Sequence, residues 1–179
     1  MMPAGNTSGP PKRSILKRLA NVEAMANGRT HAAANLVVLG ATLYLVAPRL
    51  PVDLAAGATI GAILGTLTTP DLDLIGRTHE EYRMYRWFGW LGGGLWELFW
   101  RGYAKTHPHR GSSHAPIVGT AGRWGYVAIR LSPLIALALY QFWPLWIAWL
   151  PALLMAFAFN VLQDLVHLVL DGWQYHPGR

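Results

Sequence analysis

Polar and apolar positions along this chain fall into long blocks, not into the two-residue alternation of strands. Ala32 to Pro48 is seventeen residues without a charge, and Leu54 to Thr69 is a second block of sixteen. A third runs from about Trp124 to Phe142, where Pro144 marks a turn. A fourth runs from about Leu145 to Val169, with Pro151 inside its first turns. Blocks of this length predict helices that cross a bilayer, for which ~17–25 residues are needed. The first two lie near the short limit. In the second, Gly57, Gly61 and Gly65 recur every four residues and so share one helical face, a pattern that lets two helices approach closely.

Between the second and third blocks the pattern changes. Residues 80–105 interleave Tyr82, Tyr85, Trp87, Phe88, Trp90, Trp96, Phe99, Trp100 and Tyr103 with Glu80, Glu81, Arg83, Arg86, Glu97 and Arg101. Indole and phenol rings favour the headgroup level, so an interfacial element is expected here, broken at Gly92-Gly93-Gly94. Trp143, Trp146 and Trp149 form a second belt at the Pro144 turn. Residues 1–11 read as a flexible polar tail without the features of a signal peptide. Ser14 to Ala26 reads either as a short basic amphipathic helix on an anionic leaflet or as a disordered basic tail. The expected organisation is a basic N-terminal tail (1–27), a membrane domain (28–172) and a C-terminal tail (173–179). The fold class is all-α, a polytopic helix bundle of about four transmembrane helices plus the aromatic segment.

Composition sharpens this picture. Hydrophobic residues make up 53% of the 179 and charged residues 13%, against ~25% charged in soluble proteins. The mean hydropathy is +0.24. With no cysteine, disulfides, thiolate metal sites and cysteine catalysis are excluded. The net charge of +6 would suit nucleic acid in a soluble chain, but its distribution suits a bilayer. Lys12, Arg13, Lys17, Arg18 and Arg29 precede the first block, and Arg77, Arg83, Arg86, Arg101, Lys105, Arg110, Arg123 and Arg130 occupy the central loop and its flanks. Four spans with both termini cytoplasmic put every basic residue except Arg49 inside. The expected location is the cell membrane, with lipid as the surroundings and no nucleic-acid partner.

The same topology gathers chemistry. His31, Pro70-Asp71-Leu72-Asp73, His109-Arg110-Gly111-Ser112-Ser113-His114 and the Asp164, His167, Asp171 face of the last helix all fall at one membrane depth. Imidazoles and carboxylates are ligands for Zn²⁺, Mn²⁺ or Fe²⁺, and ionisable groups at a membrane border are expensive enough to mark function. Asp71 and Asp73 can converge on one cation or bridge two. Asp164, a turn before His167, is read as orienting that imidazole, and Arg110 as pairing with a carboxylate or an anionic phosphate. His79, His107 and His176 are expected to be dispensable.

In this order these elements resemble a family of small prokaryotic integral-membrane proteins, uncharacterised metal-binding proteins also described as membrane-bound metal-dependent hydrolases. The resemblance covers about residues 28–172. It implies metal-ligand roles for His31, Asp71, Asp73, His109, His114, His167 and Asp171, and one or two divalent ions, zinc foremost. Two functions follow as expectations. One is a hydrolase of esters or phosphoesters, lipid-derived ones included, at the cytoplasmic face, with Asp71 or Asp73 as general base and Arg110 steadying the substrate. The other is a non-catalytic accessory or assembly subunit of a larger membrane complex, with a structural or vestigial ion.

Overall fold

The computed structural model describes residues 28–74, 78–107, 111–115 and 117–172. The expected basic segment at 14–26, His109, Arg110 and His176 lie outside these residues, as do the side chains of Trp143 and Trp146. Among the described residues there is no strand, as expected of an all-α chain. The helices are α1 (Gly28–Arg49), α2 (Val52–Leu67), α3 (His79–Thr106), α4 (Val118–Arg130) and α5 (Ser132–Leu170). Two 3₁₀ turns, Pro70–Asp73 and Ser112–His114, sit between α2 and α3 and between α3 and α4.

The centre of the molecule is the contact of α2 with α5. Gly57, Gly61 and Gly65 lie buried on one face of α2. A methyl group on Gly57 would meet the Ala152 carbonyl, one on Gly61 the Ala156 carbonyl, and one on Gly65 the Gln163 side chain. The glycine face therefore docks on Ala152, Ala156 and Gln163 of α5 at backbone contact distance. Polar groups tie this seam together: Gln163 Nε2 donates to the Ala62 carbonyl at 2.5 Å, and Asn35 of α1 donates through Nδ2 to the Gly65 carbonyl at 3.3 Å.

Burial is inverted relative to a water-soluble domain. The largest fully buried side chains include Arg123, His114, His167, Gln163, Asn35 and Asn160. Val37, Tyr44, Ile129, Leu134, Tyr140 and Ile147 are exposed. In a water-soluble domain charged groups stay outside and large apolar surfaces are covered.

Three expectations need correction. The block at 124–142 is not one straight helix, because α4 and Ser132–Phe142 meet at 81°. Two helical segments, Gly28–Arg49 and Ile147–Leu170, are long and apolar enough to cross a membrane, and a third counts if the bent pair is one span. At sixteen residues α2 is shorter than these. The break in the aromatic segment is at Gly89, not at Gly92-Gly93-Gly94. Gly89 adopts φ 66°, ψ −170°, which only glycine reaches without strain. Gly92 and Gly93 instead make room for Phe88 and Tyr85, which fold back over the bend, and the Tyr85 hydroxyl donates to Glu97 at 3.0 Å. Finally, Arg123, counted among the inner-loop cations, is buried at 1% exposure and bonded to Asp164.

Gly61→Val forces α2 away from Ala156 and is expected to cost about 1–3 kcal/mol or more, the usual penalty of overpacking. Gly40→Ala, where an added methyl meets nothing, should instead stabilise by about 0.5–1 kcal/mol through helix propensity. Thermal unfolding of the two purified variants separates these outcomes, and equal melting temperatures would refute the close approach.

Candidate metal centre

Each candidate ligand stands at the end of an element; α2 and α5 run parallel, Gly57, Gly61 and Gly65 facing Ala152, Ala156 and Gln163 in turn, and α1 runs against them, so its start meets their ends. His31 is in the first turn of α1, and His167 and Asp171 close α5. Pro70 ends the α2 segment and starts the turn that carries Asp71 and Asp73; proline fixes its own φ and cannot donate to a continuing helix. His114 is held by the Ser112–His114 turn, which is pinned to α4. Gly119 N–H donates to the Ala115 carbonyl at 2.8 Å, and Arg123 donates through Nη1 to the Ser113 carbonyl at 3.2 Å. Ile117, at φ 65°, turns the chain into α4 in a conformation unfavourable for a β-branched residue.

The donor atoms converge. His31 Nε2 is 3.1 Å from Asp171 Oδ1, and His167 Nε2 is 3.3 Å from Asp171 Oδ2 and 3.6 Å from Asp71 Oδ1. His114 Nε2 is 3.7 Å from Asp71 Oδ1 and 4.0 Å from Asp171 Oδ2. Most of these separations are too long for good hydrogen bonds. The shorter ones are close to the edge of a tetrahedron around an ion held at ~2.0–2.1 Å, which is ~3.3 Å, and the rest are somewhat longer. Two groups can hold an ion, His31 with His167 and Asp171, and Asp71 with His114 and His167. His167 is common to both. Its Nε2 has no hydrogen-bond partner among the described residues although it is buried. A buried polar atom of that kind calls for a partner, and a cation between the five side chains supplies one. The residues fit a divalent metal.

Exposure is uneven around this position. The His114 and His167 side chains are 1% exposed, whereas those of Asp71 and Asp171 are 23% and 18% exposed. The imidazoles form a buried floor, and the two carboxylates line the open side.

Asp73 is placed differently from a ligand. Its Oδ2 accepts from Ser113 Oγ at 2.6 Å and lies 3.5 Å from His114 Nδ1, the nitrogen turned away from the cluster. A carboxylate on the far nitrogen fixes the tautomer and orientation of a ligating imidazole. Ser113 Oγ, 3.1 Å from the same nitrogen, completes that arrangement. Asp164 does not orient His167 as expected. It accepts from Arg123 and Thr120, forming a buried charge pair. His107 stacks on Tyr103 with ring centres 4.0 Å apart, away from the cluster.

The electrostatics are those of a cation site. Burial works against the charge of Asp71, yet His114 and His167 outweigh it and hold the carboxyl far below the usual range. Asp171 is held low in the same way by His167 and His31. Burial disfavours a charged His114, but Asp71 and Asp73 push its pKa up. Protons and metal ions are therefore drawn to the same position.

Two buried carboxylates on α3 were not singled out by the sequence pattern, because they lie in a segment that reads as interfacial. Glu81 closes a capping box with Thr78, accepting from Thr78 N–H at 3.4 Å while the Thr78 hydroxyl accepts from Glu81 N–H at 3.1 Å. Glu80 is 3% exposed, and burial, then the charge of Asp71, pushes its pKa up to about 7. A threonine followed three residues later by glutamate was the available signal for the helix start. Arg123 likewise carried one, since an arginine and an aspartate, each inside an apolar block, are expected to pair.

No curated protein and no solved structure matches this chain. A family model matches residues 26–174, most of the chain, a range that includes the five converging side chains. The chain belongs to the family of uncharacterized metal-binding proteins DUF2227.

Proposed function

We propose that this protein is an integral membrane metal-dependent hydrolase of esters or phosphoesters, working at the cytoplasmic face. The observation that carries the reading is the asymmetry of the cluster: buried imidazoles behind, two partly exposed carboxylates in front, and donor spacings of a coordination shell. A divalent ion bound there would lower the pKa of its water towards ~7 and polarise the scissile group. His31, His114 and His167 hold the position, and Asp73 with Ser113 keeps the His114 ring in register. Asp71, on the open side, would be the carboxylate placed to accept a proton from a water held there. Arg110, two residues before Ser112, is assigned to the anionic group of the substrate.

The membrane part of the proposal draws on the inverted burial and the two long apolar segments. It also draws on the placement of basic residues. With both termini inside, the metal position lies at the cytoplasmic end of the bundle, beside the aromatic helix α3.

One observation favours a different function. Five side chains converge where four suffice for a closed tetrahedral site, as in a structural ion of a non-catalytic subunit. An exchangeable water on the bound ion separates the two.

Metal analysis of the purified full chain is expected to find one or two divalent ions per molecule. His114→Ala should lose them and His107→Ala should keep them. Asp73→Asn, which removes only the orienting carboxylate, should weaken binding by about 10–100-fold. Acidification should release metal from above the ordinary histidine range, because the raised pKa of His114 lets protons compete earlier. A water on a paramagnetic ion such as Mn²⁺, seen by proton relaxation, and metal-dependent hydrolysis of p-nitrophenyl phosphate complete the test. A chain that binds no metal, or binds it without an exchangeable water, refutes the hydrolase.

The topology has its own check. A membrane-impermeant thiol reagent added from outside should modify Arg49→Cys and leave Lys105→Cys untouched. Labelling at position 105 would refute the inward placement of the site.

A further inference from the structure

One charged group deep in the bundle takes no part in the chemistry at the metal position. Arg123 is fully buried in α4, the short helix that follows the His114 turn. Burying a guanidinium is costly even when it is paired, and an apolar pair of the same volume is often as stable. Neutralising Asp164 is therefore too small a reason to keep it.

Its two Nη groups reach different elements. Nη1 donates to the Ser113 carbonyl at 3.2 Å, and Nη2 donates to Asp164 Oδ2 on α5. A guanidinium is planar and rigid, so the two acceptors are held at one separation. Thr120, one turn earlier on α4, donates to the same Asp164 oxygen and steadies that end. Both ends of the bridge lead to imidazoles. Ser113 directly precedes His114; its Oγ lies 3.1 Å from His114 Nδ1 and donates to Asp73 at 2.6 Å. Asp164 is three residues before His167, on the same face of α5. His114 and His167 belong to one ligand group, with Asp71, and their ring centres are 5.8 Å apart. Arg123 thus spans the two segments whose spacing sets the gap between two donors.

We infer that Arg123 is a positioning residue of the metal centre: its guanidinium ties the His114 turn to α5 and so fixes the distance between His114 and His167. The inference rests on the metal position and not on the hydrolase reading. Charge alone argues for the opposite sign. A buried cation close to a cation site repels the ion, so if Arg123 acted only through its charge its removal would tighten metal binding. Loss of a bridge loosens it.

The probe is Co²⁺, titrated into the metal-free full chain in detergent and followed by its visible absorption, which reports affinity and ligand geometry together. Arg123→Lys keeps the charge beside Asp164, but as a point donor it cannot hold both acceptors. It is expected to weaken Co²⁺ binding about 10–100-fold, as the loss of a ligating imidazole's support does, and to shift the absorption bands. Arg123→Gln with Asp164→Asn removes both charges together, strands neither, and should show the same loss and shift. Tyr126→Phe, which breaks a bond from α4 to the Phe99 carbonyl, should lower the melting temperature and leave affinity and spectrum as in the wild type. That control separates lost positioning from lost stability. Combining Asp73→Asn with Arg123→Lys should cost less than the two single losses together, because both act through the orientation of His114. Unchanged or tighter binding in both Arg123 variants, an equal loss in Tyr126→Phe, or fully additive losses with Asp73→Asn overturns the inference. A wild-type chain that binds no Co²⁺ overturns it together with the metal position. One that binds Co²⁺ through the bridge but hydrolyses nothing refutes the hydrolase and leaves the role of Arg123 standing.

Discussion

Everything at the metal position depends on how closely α2 can lie against α5. The glycine face of α2 removes three side chains from the seam, so that backbone meets backbone at Ala152 and Ala156. That proximity sets where α2 ends, and Pro70 then turns the chain so that Asp71 comes within 3.6 Å of His167. A helix pair held apart by ordinary side chains would carry Asp71 and His167 on separate surfaces. The chemistry at one end of the bundle is thus fixed by the smallest residues at its middle.

The interior that results is polar, and several of its polar groups bond to one another. Asn35, Gln163 and Thr66 bond across the seam of α1, α2 and α5. Arg123 and Asp164 neutralise each other, and Arg123 also holds the Ser113 carbonyl. Such a pair offsets its desolvation only when its hydrogen bonds are met, and removal of one partner strands a buried charge. The pair therefore does more than fill space: through Ser113 it fixes the turn that presents His114, and through α5 it lies one turn from His167.

Much of this was legible in the sequence, for a physical reason. Helical blocks, the glycine repeat of α2 and the grouping of His31, Asp71, His114, His167 and Asp171 at one end of the bundle follow from periodicity and chain order, which local residues carry. What was not legible depends on three-dimensional neighbours. The break at Gly89 could not be told from Gly92-Gly93-Gly94, because the choice lies in how Phe88 and Tyr85 fold back. Asp73 reads as a ligand by its spacing, and only the rotation of the turn places it behind His114. Asp164 faces away from His167 because Arg123 and Thr120 compete for it. Nor does a run of apolar residues reveal an 81° bend between two helices that share its composition.

The ligands also impose an order of assembly. His31 lies in the first described helix, while His167 and Asp171 are in the last. Synthesis proceeds from the first to the last, so His31, Asn35 and Asp71 are made long before α5 can receive them. Until then α1 and α2 carry polar groups whose native partners do not yet exist, in a chain with little else to cover them. Joining residue 31 to residue 171 then closes a loop of nearly the whole domain, a slow step whose entropy grows with the logarithm of its length. Both groups of ligands include His167, so neither is complete until the last helix is in place.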